Sequence, residues 1–174
     1  MMIQLFDPML RVLRWPWLAG LVMCLQFFPG EGHALPAAVN LSSDAKLASQ
    51  LGGPLIVLYS RDDCPYCRIV KRNYLQPLLS EPRYQKRVIV REINVDSEST
   101  LIDFDGQKTT HSKFAEREKI RFVPVVSFYG PKGLTLAEPI VGSRLPDFYQ
   151  SYLDDAIKQS ILFGKASGVV QFPQ

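Results

Sequence analysis

The sequence predicts an α/β domain in which strands and helices alternate along most of the chain. Three observations carry that prediction. Apolar runs of strand length, Leu55–Ser60, Val88–Val95 and Phe122–Tyr129, are bounded by charged or turn-forming residues. Between and after them, Arg68–Leu79 and Asp147–Ile161 space their apolar residues as amphipathic helices do. Glycine and proline cluster at the joints, as in Gly52-Gly53-Pro54 and Pro131-Lys132-Gly133. The implied order, helix, strand, helix, strand, helix, strand, strand, helix, is a layered architecture with helices flanking a sheet.

Ahead of this pattern, Arg11 and Arg14 precede an apolar run from Trp15 to Phe28, followed by Pro29-Gly30-Glu31-Gly32-His33-Ala34. Positive charge, a short apolar stretch and small residues at Gly32 and Ala34 compose a secretory signal cut after Ala34. The run contains Pro16 and falls short of the ~20 residues needed to span a bilayer, so a retained anchor is the secondary reading. Met23 is bulky where a lipidated Cys24 would follow a small residue. The expected organisation is a signal over 1–34, a lead-in over 35–42, one domain over 43–162 and a tail over 163–174. Export implies a periplasmic location, no stable membrane insertion after cleavage, and a setting in which disulfides persist.

Each element has its own justification. A short helix is predicted over Ser43–Gln50, ending at Gly52-Gly53. The uninterrupted apolar run that follows marks a central strand covered on both faces. The helix over Arg68–Leu79 is expected to kink or end at Pro77, and Val88–Val95 supplies a second buried strand. Asp96–Thr110 is polar, and its Asp105-Gly106 step suggests a tight hairpin turn. A helix over His111–Ile120, strands around Phe122–Tyr129 and Leu134–Val141, and the closing helix complete the domain. His111 reads as a solvated residue at a helix start.

The chain carries a formal net charge of +3, and losing Arg11, Arg14, Asp7 and Glu31 with the signal leaves that value unchanged. So mild and dispersed a charge implies neither a nucleic acid nor an acidic membrane partner.

Cysteine usage is the most informative local feature. With Cys24 in the signal, Cys64 and Cys67 of Cys64-Pro65-Tyr66-Cys67 are the only thiols of the mature chain. Between a strand and a helix, Cys64 occupies a helix start, where unpaired N–H groups and the helix dipole favour its thiolate. Pro65 suits the first helical turn. Cys67, one turn later, is placed to resolve a mixed disulfide formed at Cys64. Three other uses compete. A structural bridge closing so small a loop contributes only about 2 kcal/mol. A closed zinc site needs four ligands, and the mature chain offers these two cysteines and His111. Two thiolates suit Cu(I), making a copper carrier the best non-enzymatic alternative. Pro124 stands between β-like stretches, either as an edge-strand proline or as a cis proline marking a functional loop.

Taken together, the strand Leu55–Ser60, Cys64–Cys67, Ile93-Asn94-Val95-Asp96, Val123-Pro124 and Gly133 resemble the thioredoxin superfamily. Asp103-Phe104-Asp105-Gly106, Lys113–Arg117 and Ile120-Arg121-Phe122 bring the likeness closest to exported SoxW-type thioredoxins. The resemblance implies a thioredoxin fold, a central mixed β-sheet flanked by helices with a short polar insertion before the cis-proline strand. It implies disulfide exchange at Cys64 and Cys67 beside a cis Pro124, with Pro65, Tyr66 and the Val123 backbone contacting an extended substrate segment. The implied cofactor is none beyond the redox-active Cys64–Cys67 pair. The implied partners are disulfide-bearing exported proteins and a membrane thiol electron donor.

The sequence departs from the family in several places. Asp63 stands where thioredoxins place Trp, and Pro65-Tyr66 is the glutaredoxin pair, although the longer stretch to Pro124 is not glutaredoxin-like. Asp62 and Asp63 oppose ionisation of Cys64. Leu58 replaces the buried aspartate that serves the resolving cysteine, and Glu92 replaces a lysine on the next strand. Glu92 is therefore the candidate carboxylate beneath the disulfide, acting directly or through water, or else a residue paired with a nearby Lys or Arg. The expected activity is reduction of partner disulfides, with disulfide oxidation as the alternative direction.

Overall fold

The structure, a computed structural model, describes residues 34–143 and 146–168. The segment expected to be an export signal therefore lies outside the described residues, save Ala34, as does the end of the tail.

Asn40 caps the first helix, α1 (Leu41–Gln50), by accepting from the Ser43 N–H at 2.9 Å. That cap starts the helix two residues before the predicted Ser43. Strand β1 (Leu55–Ser60) is buried along its whole length, as an apolar run in a central strand requires. Helix α2 (Pro65–Val70) passes through a π-helical stretch (Lys71–Leu75) into α3 (Gln76–Ser80). Pro77 thus does not end the helix. In the wider turn before it, the Gln76 N–H bonds the Lys71 carbonyl, accommodating the donor that proline lacks. Strand β2 (Ile89–Asn94) follows, then β3 (Thr100–Ile102), β4 (Lys108–Thr110), α4 (His111–Arg117), β5 (Val125–Tyr129), β6 (Thr135–Val141) and α5 (Pro146–Ala166). Strand β5 starts three residues later than the apolar run suggests, because the Val123–Pro124 peptide is cis and the chain turns there.

The four-stranded sheet has the order β2-β1-β5-β6, with β1 parallel to β2 and antiparallel to β5, and β5 antiparallel to β6. The lead-in is part of it. Glu92 donates to the Pro36 carbonyl at 2.9 Å and accepts from the Ala38 N–H at 2.8 Å, so residues 36–38 cover the open edge of β2. Leu35 is buried in the core beneath that edge.

Alternation along β1 divides the core. Ile56 and Leu58 join Val90, Val126 and Phe128 under the helices from Val70 to Leu78 and under Leu153 of α5. Leu55, Val57 and Tyr59 join Ile93 and Val125 under α1 and α4.

The polar insertion is the hairpin β3–β4, closed by the five-residue loop Asp103–Gln107 rather than a two-residue turn. Asp103 is buried, accepts from the Asp105 and Gln107 amides, and binds Arg117 of α4 at 2.6 Å. Phe104 packs against the turn at Gly133, where a Cβ would lie 2.6 Å from the ring and φ is +73°. Burial alone would raise the Asp103 pKa, but the Arg117 guanidinium and the loop amides outweigh it and hold the carboxyl below its ordinary value. A depressed folded pKa stabilises above the unfolded pKa of ~3.9, and that contribution disappears as pH falls through the folded value. Asp103→Asn is expected to cost about 2 kcal/mol at pH 7. Denaturant unfolding should show that deficit shrinking as pH drops below about 4.

His111 corrects the reading of a solvated residue. It is buried, its Nε2–H donates to the Ala38 carbonyl at 2.7 Å, and its Nδ1 accepts from the Asn94 N–H at 3.3 Å. The ring ties the lead-in to the end of β2.

Candidate active site

The site is built where β1 ends and the helix begins. Cys64 is the N-cap of α2, in extended backbone, and its sulfur accepts from the Cys67 N–H at 3.0 Å. Pro65 is the first helical residue, as the capping rules require. Cys64 and Cys67 form a disulfide with Cα atoms 5.3 Å apart. Their exposures differ: Cys64 is half-buried, whereas Cys67 is 1% exposed. An incoming group therefore meets Cys64 first, and Cys67 lies shielded behind it.

Two flanks border the pair. On one, Tyr66, Val123, Pro124, Gly142 and Ser143 line a groove of about 330 Å³. Pro124 is buried, and its carbonyl accepts from the Gly142 N–H at 2.8 Å. Among the described residues no backbone hydrogen bond engages the amide or carbonyl of Val123, leaving that peptide open for strand-like pairing. Tyr66 is 62% exposed beside it. On the other flank lie Asp62 and Asp63, both exposed, and Arg61, paired with Asp96 at 2.6 Å.

Beneath the helix, Leu58 is fully buried and in register with Glu92 on β2. Since Val90 faces the helix α2 side of the sheet, alternation turns Glu92 to the same side. One carboxylate oxygen, Oε1, accepts from the buried Ser60 hydroxyl and meets the Lys71 ammonium, each at 2.5 Å. Lys71 follows Cys67 by four residues, and its N–H bonds the Cys67 carbonyl, so both side chains share one helical face. Of the two sequence readings of Glu92, the structure shows the pairing with a lysine, on the sheet face that lies under the cysteine helix.

Of the residues singled out in the sequence, Cys64, Pro65 and Cys67 form the disulfide turn, Tyr66 within it shares a groove with Val123 and Pro124, and Glu92 lies on the next strand, paired with Lys71. The sequence did not point to Lys71 or Ser60. Lys71 was findable from its i+4 spacing to Cys67. Ser60 was not, because only the strand register aligns its hydroxyl with Glu92.

Comparison with known proteins gives a family for the chain. Residues 41–157 match the thioredoxin-like domain family. No curated protein matches the chain. Solved structures similar to it include mitochondrial thioredoxin 3 from Saccharomyces cerevisiae in its oxidized form, at 18% identity and TM-score 0.47, covering 71% of this chain and 93% of that one. Thioredoxin O2 from Arabidopsis thaliana in the oxidized state is 16% identical, with TM-score 0.46 and coverages of 70% and 95%. Trxlp from Edwardsiella tarda is 20% identical, with TM-score 0.45 and coverages of 67% and 98%. A disulfide at a helix start, a mixed sheet with this strand order and a family match over most of the chain lead to one conclusion: the protein belongs to the thioredoxin-like family.

Proposed function

We propose that the protein is an exported thiol–disulfide oxidoreductase of the SoxW type that reduces disulfides of partner proteins. The observation that carries this reading is the unequal burial of a Cys64–Cys67 disulfide beside the open Val123 backbone. In the reduced protein, the Cys64 thiolate attacks one sulfur of a partner disulfide, forming a mixed disulfide and releasing the other partner sulfur as a thiolate. Cys67, deprotonated, then attacks Cys64, re-forming the disulfide and releasing the second partner thiol. Two electrons pass from the dithiol to the partner, so no separate cofactor takes part. Re-reduction requires an external dithiol, which for an exported protein means a membrane thiol donor. No helix among the described residues is long and apolar enough to cross a membrane.

The Cys67 proton needs an acceptor, and we assign that role to Glu92, on the sheet face under the cysteine helix. Lys71 and Ser60 hold its carboxylate in place. Glu92→Gln is expected to slow release of the mixed disulfide by about 10² at neutral pH, the lower end of general-base effects. It should also shift the pH–rate profile, whereas an unchanged profile would remove Glu92 from the mechanism.

The function itself is tested by insulin reduction with the purified, reduced protein and a parallel Cu(I) titration. Turnover supports the enzyme. No turnover, together with tight one-to-one copper binding, would make the protein a copper carrier.

A further inference from the structure

Helix α2 and the π-helical stretch after it carry three cations, Arg68, Lys71 and Arg72. The two arginines are exposed. The Lys71 side chain is 26% exposed, and its ammonium meets Oε1 of Glu92 at 2.5 Å. Glu92 lies deeper still, with a side chain 14% exposed, and the Ser60 hydroxyl donates to the same oxygen. A lysine on a helix surface ordinarily carries its charge out to water. This one spends it on a carboxylate under the helix.

Cys67 stands one turn before it. The Lys71 N–H bonds the Cys67 carbonyl, and residues four apart on a helix have Cβ atoms about 5–6 Å from each other. Helical side chains lean toward the N-terminus, which carries the Lys71 stem over the turn that holds the buried thiol. The lysine thus ties the Glu92 carboxylate to the helical turn of Cys67. No other charge competes for it on that side. Leu58 and Ser60 are the nearest strand neighbours of Glu92 on that face, and the strap over the outer edge of β2 brings no ionisable group. The other titratable side chains packed on that face are the phenols of Tyr74, Tyr84 and Tyr149. Helices α1 and α4 lie on the opposite face, where Arg91 is paired with Asp44.

We propose that Lys71 is the positioning residue of the resolving step, holding Glu92 ionised and aimed so that it can take the Cys67 proton. A carboxylate so little exposed would keep its own proton without a cation beside it, and a protonated acid accepts nothing. With Lys71 in place, the Cys67 proton passes to Oε2 of Glu92, the oxygen that neither Lys71 nor Ser60 uses. The Cys67 thiolate attacks Cys64. The new sulfur–sulfur bond forms as the bond from Cys64 to the partner breaks, and the partner leaves as a thiolate. The inference rests on the Glu92 reading above and adds the residue on which that acid depends.

The test separates the two steps. Reduced protein is mixed in a stopped-flow instrument with a symmetric aromatic disulfide whose thiolate is coloured. The first release of colour reports attack by Cys64, and the second reports attack by Cys67 on the mixed disulfide. In Lys71→Met the second release is expected to slow about tenfold relative to the first at pH 7, the scale of one charge-assisted contact. Its rise with pH should move to higher pH, because a carboxylate without its cation ionises less readily. Lys71→Arg should restore both rate and profile. In a Glu92→Gln background, Lys71→Met should add almost nothing, since the lysine acts through the carboxylate. A lysine that merely supports the fold would lower stability and leave the pH profile where it was. Should Lys71→Met fail to fold, Lys71→Gln, which keeps a donor without the charge, carries the same expectation. An unshifted profile, or equal slowing with and without Glu92, would overturn the proposal. If Glu92→Gln leaves the second release and its pH dependence unchanged, the Glu92 reading fails first and this inference falls with it.

Discussion

Replacing Cys64 with serine should abolish disulfide exchange, while replacing Cys67 with serine should leave a protein that attacks once and stops. The difference follows from burial, because Cys64 is reachable from solvent and Cys67 is 1% exposed behind it. With Cys67 intact but Cys64 gone, no accessible thiolate remains among the described residues, and turnover should fall to the background of the uncatalysed reaction. With Cys64 intact and Cys67 gone, the first attack proceeds, and the mixed disulfide persists because nothing within the fold can resolve it. Non-reducing electrophoresis and intact mass will separate the outcomes. Cys67→Ser should accumulate a one-to-one adduct with its disulfide partner, and Cys64→Ser should accumulate none. Equal trapping by both variants would contradict the division of labour.

Leu58→Asp should be among the most destabilising single changes in the domain, although it restores the residue common in related thioredoxins. Leu58 is fully buried between Glu92 and Val126 in the sheet register, on the face under the helix that carries the cysteines. The substitution would place a second carboxylate beside Glu92, with Lys71 already committed to the first. An uncompensated buried charge costs about 3–5 kcal/mol, and the lost leucine packing adds to it. Against a total stability of about 5–15 kcal/mol, the variant should unfold readily at pH 7.5. Burial and the like charge raise the folded pKa of the new carboxyl, so its destabilisation grows as pH rises above the unfolded value of ~3.9 and recedes as pH falls toward it. Leu58→Asn, carrying no charge, separates the packing loss from this pH-dependent part. Denaturant midpoints at pH 7.5 and 4.5 for both variants will measure it. Wild-type stability in Leu58→Asp at pH 7.5 would show that the pocket already accommodates two acids.

These outcomes also mark where the sequence could be read and where it could not. The covered strand Leu55–Ser60 announced itself by an uninterrupted apolar run, and the cysteine pair by its spacing together with the strand before it and Pro124 beyond it. The hairpin around Asp105-Gly106 was legible from local pattern too, although not its five-residue length, which Asp103 fixes by binding two amides of its own loop. What stayed hidden was assembled across distance. Ser60, Lys71 and Glu92 come from a strand, a helix and a second strand, and meet only once the register is set. His111 looked like an ordinary polar residue at a helix start, but its surroundings are Ala38 and Asn94, neither of them near it in sequence. Side chains paired through the fold leave little trace in one-dimensional periodicity.

The strap formed by residues 35–40 limits how far the chain could be shortened from its N-terminal side. Leu35 fills core space, Pro36 and Ala38 hydrogen-bond β2 at Glu92, and Asn40 starts the first helix. A protease that cuts after Ala34 leaves all of this in place. A cut only a few residues later would bare the sheet edge on the strand that carries Glu92, inviting pairing with other chains. Where the chain begins, on either side of this strap, would therefore determine how well the redox helix is supported from below.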